Sequence, residues 1–177
     1  MRCPTISYDD AMTDGDARTQ RTRSGHWLMK SEPACFSLAD LRRRPDATEH
    51  WDGVRNYQVR NMLRDEMRVG DRALFYHSSC PEPGVAGCIE IVREGYPDIT
   101  AQDPENAHHD PRSTPEDPVW YMVDVRFMAE FPRFVPLTEL RTHPALEGLA
   151  ILARGSRLSI TPLSRAHWDI IVRLGGL

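Results

Sequence analysis

The run VWYMVDVRFMAEF, residues 119–131, constrains the fold more than any other segment of the chain. β-Branched and aromatic side chains crowd it, and Val119, Tyr121, Val123, Val125 and Phe127 recur at every second position, the period of a strand. A strand this long needs partners. Upstream, RVGDRALFYHS turns at Gly70-Asp71 and then alternates Ala73 and Phe75 with Leu74 and Tyr76, and GVAGCIEIV follows through a turn from Pro81 to Gly84. Strands joined so closely lie antiparallel. Trp27 to Met29 predict a short strand ending before Pro33, SRLSI at 156–160 predicts another, and residues 119–131 are expected at the centre of the sheet. The helices are short. SLADLRRRP offers Ser37 as N-cap with Asp40 completing a capping box and Pro45 closing it. NYQVRNMLRDEM offers Asn56 as cap, with Val59, Met62, Leu63 and Met67 turned inward, and PLSRAHWDIIV offers Ser164 as cap and ends at Gly175-Gly176. Without regular strand-helix alternation, a doubly wound parallel sheet is excluded. The expectation is an α+β fold: a small, partly closed, mixed and mainly antiparallel β-barrel with short flanking helices, whose closure protects strand edges.

A length of 177 residues suits one principal domain. Residues 1–25 are polar and aperiodic and predict a poorly ordered tail, which leaves residues 26–177 as the domain. No apolar run approaches the roughly 20 residues of a spanning helix, so no membrane association is expected. Cys3, Cys35, Cys80 and Cys88 form no CxxC pair and read as reduced thiols, in the cytoplasm or, in a eukaryote, the nucleus. The net charge of -4, from 22 basic and 26 acidic residues, argues against a wide basic face that coats duplex DNA. It leaves room for a small site gripping one nucleotide with a few arginines. Lys30 is the only lysine.

Motifs for familiar chemistries are missing. There is no GxxxxGK[ST], no GxGxxG and no GxSxG. His108, His109 and Asp110 come nearest to a metal cluster, but adjacent residues do not easily turn both rings to one ion, and no metal or cofactor is expected. His77 near Cys80 is a weak cue for a thiol pair, and Asp98, Asp103 and Asp110 read as a solvated loop surface. The loop from Tyr96 to Pro118 is long enough to shape a site.

Three stretches carry more promise, each with an ordinary alternative beside it. Lys30, Ser31 and Glu32 stand at a strand's rim, free to meet a ligand or simply forming a polar turn. In WDGVRNYQ, Trp51 can stack on a base for about 1–3 kcal/mol, Asn56 can read a base edge and Tyr57 can add a second face. They serve equally well as a core plug, a helix cap and a rim residue. In ARGSRLS, Gly155 permits a tight turn, Ser156 and the backbone can meet an anion, and Arg154 and Arg157 supply forked donors. Many hairpins carry such residues for solubility alone.

Taken together, HWLMKSEP, WDGVRNYQVRN, VGDRALFYHS, PGVAG, YPDITAQDP, HHDP, VWYMVDVRF, RGSRLSITP and the closing Trp168 resemble the EVE domain family, from about Trp27 to Val172. The resemblance implies a PUA-like fold related to the YTH readers of methylated adenine. It also implies a pocket that accepts a flipped-out or unpaired modified base in DNA or RNA. On this likeness the base pocket is assigned to Lys30, Ser31, Glu32, Trp51, Asn56, Tyr57, Tyr76, His77 and Ser78. Phosphate contacts fall to Arg154, Gly155, Ser156 and Arg157, and a lid to His108, His109 and Asp110. Two departures stand out: histidines at 108 and 109 where the family carries aromatics, and Ala153 where it carries a more basic residue. The expected partner is nucleic acid with a modified or unpaired base, bound without catalysis. An enzyme acting on a modified base and a protein-interaction module are the rival readings, and the sequence names no protein partner.

Overall fold

The computed structural model describes residues 25–153, 155 and 157–177. The expected tail over 1–25 lies, Gly25 aside, outside them, as do Cys3, Arg154 and Ser156. One sheet organises the chain. Its strands are β1 (His26–Ser31), β2 (Thr48–Trp51), β3 (Arg72–His77), β4 (Gly84–Pro97), β5 (Tyr121–Pro136) and β6 (Ile160–Pro162), and they lie in the order β2-β5-β4-β3-β1-β6. β1 and β3 pair in parallel, Lys30 opposite Tyr76 and Ser31 opposite His77, while every other pair is antiparallel. Around the sheet stand α1 (Leu38–Arg43), α2 (Tyr57–Asn61), α3 (Leu137–Thr142) and α4 (Arg165–Leu174).

The caps form as the residues dictate. Ser37 and Asp40 make a reciprocal capping box, Asn56 accepts from the amides of Gln58 and Val59, and Ser164 accepts from that of His167. One π turn, Met62–Glu66, extends α2 and keeps Met62, Leu63 and Met67 buried.

The expected barrel is not formed. β2 and β6 occupy the two ends of the strand order and do not pair with each other, so the α+β fold is a mixed open sheet with flanking helices. The physical reason lies in burial on both faces. Trp27, Met29, Ala73 and Phe75 join one core with Leu38 and Leu41 of α1 and Val59 of α2. Leu28, Leu74 and Tyr76 join another with Leu140 of α3 and Trp168 and Ile171 of α4. Layers on both faces remove the apolar surface that closure would otherwise have to hide. The edge strands, at 4 and 3 residues, leave little unpaired backbone.

Two further expectations are corrected. β5 is the longest strand at 16 residues but stands second from the edge, and Val119 precedes it. The strand foreseen at SRLSI starts only at Ile160. Repeated register shifts between β4 and β5 bend the sheet's long axis. This curl brings the ends of β1 and β2, which have three strands between them in the order, to one side of the molecule.

Candidate functional site

A cleft of about 620 Å3 opens where β1, β2 and the long loop converge. β1 and its continuation supply Lys30, Ser31, Glu32, Cys35 and Phe36, β2 supplies Glu49, His50 and Trp51, the segment after it supplies Asp52 to Arg55, and Arg44, His108 and Ser159 complete the wall. Trp51 is 8% exposed and sets its edge on Phe75, ring centroids 5.5 Å apart and planes at 79°. It is both plug and cleft wall, so the two readings of this residue are compatible. Ser31 donates its hydroxyl to the Phe36 carbonyl at 2.6 Å, which holds the turn after β1.

Charges in the cleft are mostly paired. Arg44 meets Glu49 at 2.7 Å, and Arg55 meets Asp98 at 2.8 Å. Lys30 and Glu32 have no ion-pair partner among the described residues. Burial pushes the Lys30 ammonium below the ordinary lysine value.

The residues after Trp51 are latched to the long loop. The Arg55 guanidinium donates through Nε to the His108 carbonyl at 2.8 Å and through Nη1 to Asp98, and the Gly53 amide donates to the same carboxylate at 3.1 Å. Gly53 has φ of +71°, and a Cβ there would come within 2.7 Å of the His108 ring. The positive φ favours glycine, and a side chain here would have to displace the His108 ring. Burial pushes the Asp98 carboxyl up, but hydrogen bonds from Thr100, Arg55 and Gly53 together outweigh it and hold it below the usual value. Asp110 likewise accepts from Trp120 Nε1 at 2.7 Å and from Arg112 Nη2 at 2.7 Å, which holds it well below the carboxylate range.

The solvated-loop reading therefore fails for Asp98 and Asp110, both buried, and holds for Asp103. These two anchors, with Arg55 and Trp120, are what the sequence reading missed. A faint signal existed for Asp98, which caps the turn Ile99–Ala101.

The other foreseen site residues are spread over neighbouring concavities. Tyr57, half-exposed, lies on Trp120 with centroids 4.9 Å apart, in a groove of about 380 Å3 that also holds His109, Asp110 and Arg112 and shares Arg55 and His108 with the cleft. Asn56 is exposed, and its carbonyl oxygen is taken up by the cap, at 2.9 Å from Gln58 N and 3.1 Å from Val59 N. His77 accepts from the Leu38 amide at 3.3 Å, and burial lowers its pKa, so its ring is a neutral acceptor. Cys80 donates to the Glu82 carbonyl at 3.4 Å and not to His77, which removes the cue for a thiol pair. Tyr76 and Ser78 line a third cavity, with Lys30 on its rim. Gly155 adopts φ of +74° and Arg157 is exposed. Among the described residues no cluster of three or more His, Cys, Asp or Glu is placed to hold a metal ion.

Comparison with known proteins adds an independent line. The EVE domain model matches residues 25–174. Thymocyte nuclear protein 1 of Homo sapiens is 46% identical over 168 residues, covering 85% of this chain and 74% of its own. The DUF55 domain of the human thymocyte nuclear protein 1 superposes with a TM-score of 0.79 at 47% identity, over 86% of this chain and 99% of that one. The human THYN1 protein, in complex with 5-methylcytosine containing DNA, superposes with a TM-score of 0.80 at 44% identity, over 86% of this chain and 98% of that one. By its match from end to end of the described fold, the chain belongs to the EVE domain family.

Proposed function

We propose that this chain is a nucleic-acid-binding module that takes a modified base, 5-methylcytosine foremost, into the cleft between β1 and β2, with residues 26–177 as the binding unit. One observation carries the reading: a protein 44% identical over 86% of this chain, and of the same fold, is solved with 5-methylcytosine containing DNA. The cleft agrees in size. Its volume of about 620 Å3 lies within the roughly 300–1,000 Å3 of small-ligand sites.

A base in this cleft has left its stack, at a cost of a few kcal/mol that falls when the base is already unpaired. Trp51 offsets that cost by lying against the ring. Glu32 presents its carboxylate oxygens as acceptors to the amino edge of the base and repels phosphate from it. Ser31 flanks the same edge, and Lys30 stands at the cleft wall beside it. The His108 ring, held down on Gly53, closes the far side where relatives by resemblance carry an aromatic. Tyr57, with Trp120 and Arg112, lies in the adjoining groove and meets the neighbouring nucleotide, and the loop carrying Arg154 to Arg157 meets backbone phosphate. Asn56 and His77 position these elements.

A fully buried methyl group contributes about 0.8 kcal/mol, or about fourfold in affinity. Fluorescence anisotropy with single-stranded oligonucleotides bearing one 5-methylcytosine, against the same strands with cytosine, is expected to show at least that preference. Trp51→Ala should cost about 1–3 kcal/mol of binding at every salt concentration. Because Trp51 is also a core residue, Glu32→Gln provides a second variant on an exposed side chain, and it should reduce affinity for both strands without loss of folding. Undiminished, non-selective binding by both variants would reject the assignment.

A further inference from the structure

Tyr76 and Ser78, assigned to the base pocket by resemblance, stand in the structure on a separate cavity of about 340 Å3, between the end of β3 and α3. Lys30 lines this cavity and the base cleft alike, so it forms the wall between them. We infer that this cavity is an anion subsite that takes the phosphate adjoining the base in the cleft, held by Lys30, Arg141, Tyr76 and Ser79, while Ser78, whose hydroxyl donates to the Ser31 carbonyl at 3.3 Å, backs the wall. The link to a nucleotide rests on the function proposed above; the anion site itself does not.

The argument begins with charge. In a chain whose formal net charge is -4, no Asp or Glu among the described residues lines the cavity, while its only lysine and an arginine both do. Neither cation has an ion-pair partner among the described residues, whereas Arg133, just across α3, is neutralised by Glu139 at 2.6 Å. A half-buried ammonium without a counter-charge is costly, and an anion in the cavity relieves that cost.

Local structure aims the donors. Lys30 and Tyr76 are paired in the parallel register and project on one face of the sheet. Burial keeps the Tyr76 phenol protonated, with its pKa pushed up to about 12 despite the nearby Arg141 charge, so its hydroxyl is able to donate. The Ser78 amide continues the ladder to the Ser31 carbonyl at 2.8 Å, and the chain then turns at Ser79, whose φ of +54° is rare for a side-chain-bearing residue. Such a conformation persists where its surroundings demand it, and these cluster at ligand sites. The Leu137 amide donates to the Pro83 carbonyl at 2.8 Å, fixing the start of α3 so that Arg141, one turn on, overhangs the cavity while Leu140 is buried. Lysine, arginine, serine and tyrosine donors around an acid-free hollow are the chemistry of a phosphate oxyanion.

Free phosphate and nucleotide phosphate share that chemistry, and calorimetry on the full chain separates them. 5-Methyl-2′-deoxycytidine, its 5′- and 3′-monophosphates and inorganic phosphate are titrated into wild type and Arg141→Ala, a change at an exposed position outside the base cleft. One monophosphate is expected to bind about tenfold more tightly than the nucleoside, a gain of the size charge-assisted hydrogen bonds supply. Arg141→Ala should abolish that gain and leave nucleoside affinity unchanged. Inorganic phosphate alone should shift the Tyr76 and Ser79 amide resonances in wild type and not in Arg141→Ala. Monophosphates no tighter than the nucleoside, or a gain that survives in Arg141→Ala, would overturn the nucleotide link. Resonances indifferent to inorganic phosphate would overturn the anion site. A silent nucleoside beside an Arg141-dependent phosphate response would overturn the base reading while supporting the anion site.

Discussion

At the scale of single residues, Asp98 does most to hold the cleft's shape. Its fully buried carboxylate receives Arg55, the Gly53 amide, the Thr100 amide at 2.9 Å and the Thr100 hydroxyl at 2.6 Å. Asp98→Asn removes the charge that Arg55 answers and substitutes a donor where only acceptors fit, so a loss of about 2–3 kcal/mol is expected, read as a lower urea midpoint at constant slope. The sign of its pH dependence follows from the depressed carboxyl. Its stabilisation is complete above the unfolded carboxylate value, about 3.9, and is lost as pH falls through the lower folded value. Asp98→Asn should therefore be less acid-sensitive than wild type between about pH 4 and the onset of global acid unfolding. In the sequence Asp98 was one acid among many in a proline-rich loop. Burial of a loop acid depends on what folds over it, and here that is Gly53 and Arg55, 45 and 43 residues away along the chain.

Elements were more legible than residues because caps and periodicity act within a few positions. The Ser37, Asn56 and Ser164 caps, the inward face of α2 and the alternation of β3 all form as their local chemistry requires. β2 did not announce itself: TEHW is short, polar and preceded by a turn at Pro45, and it is a strand only because β5 offers it a partner, Trp51 opposite Val123. Asn56 shows how the element explains the residue. Since its oxygen is used by α2, Asn56→Ala should destabilise by about 1 kcal/mol, and Asn56→Asp, an equally good N-cap, should restore stability. Oligonucleotide affinity is expected to follow wild type in Asn56→Asp; a tenfold loss there with stability intact would make Asn56 a reader of the base edge instead.

For the whole molecule, net charge and the placement of unpaired cations predict a shallow salt dependence. With Lys30, Arg141, Arg154 and Arg157 as the phosphate contacts, the slope of log affinity against log salt for a single strand should be about -3. Arg157→Ala should reduce its magnitude by about one contact's worth. A slope steeper than about -5 in an anisotropy series would mean a broad basic interface that the cleft and its neighbours do not provide.

From sequence alone came most of the strand and helix content, the caps, the two-faced alternation of β3 and the family resemblance. All of these depend on short-range patterns or on motif identity. Tertiary structure decided that the sheet stays open, that β1 and β2 share one cleft, that Tyr57 joins Trp120 in the next groove, and that Tyr76 and Ser78 face a separate hollow with Arg141. Strand partners, sheet curl and the burial of each loop are settled by contacts between residues far apart along the chain, each of them too weak to be seen from one end alone.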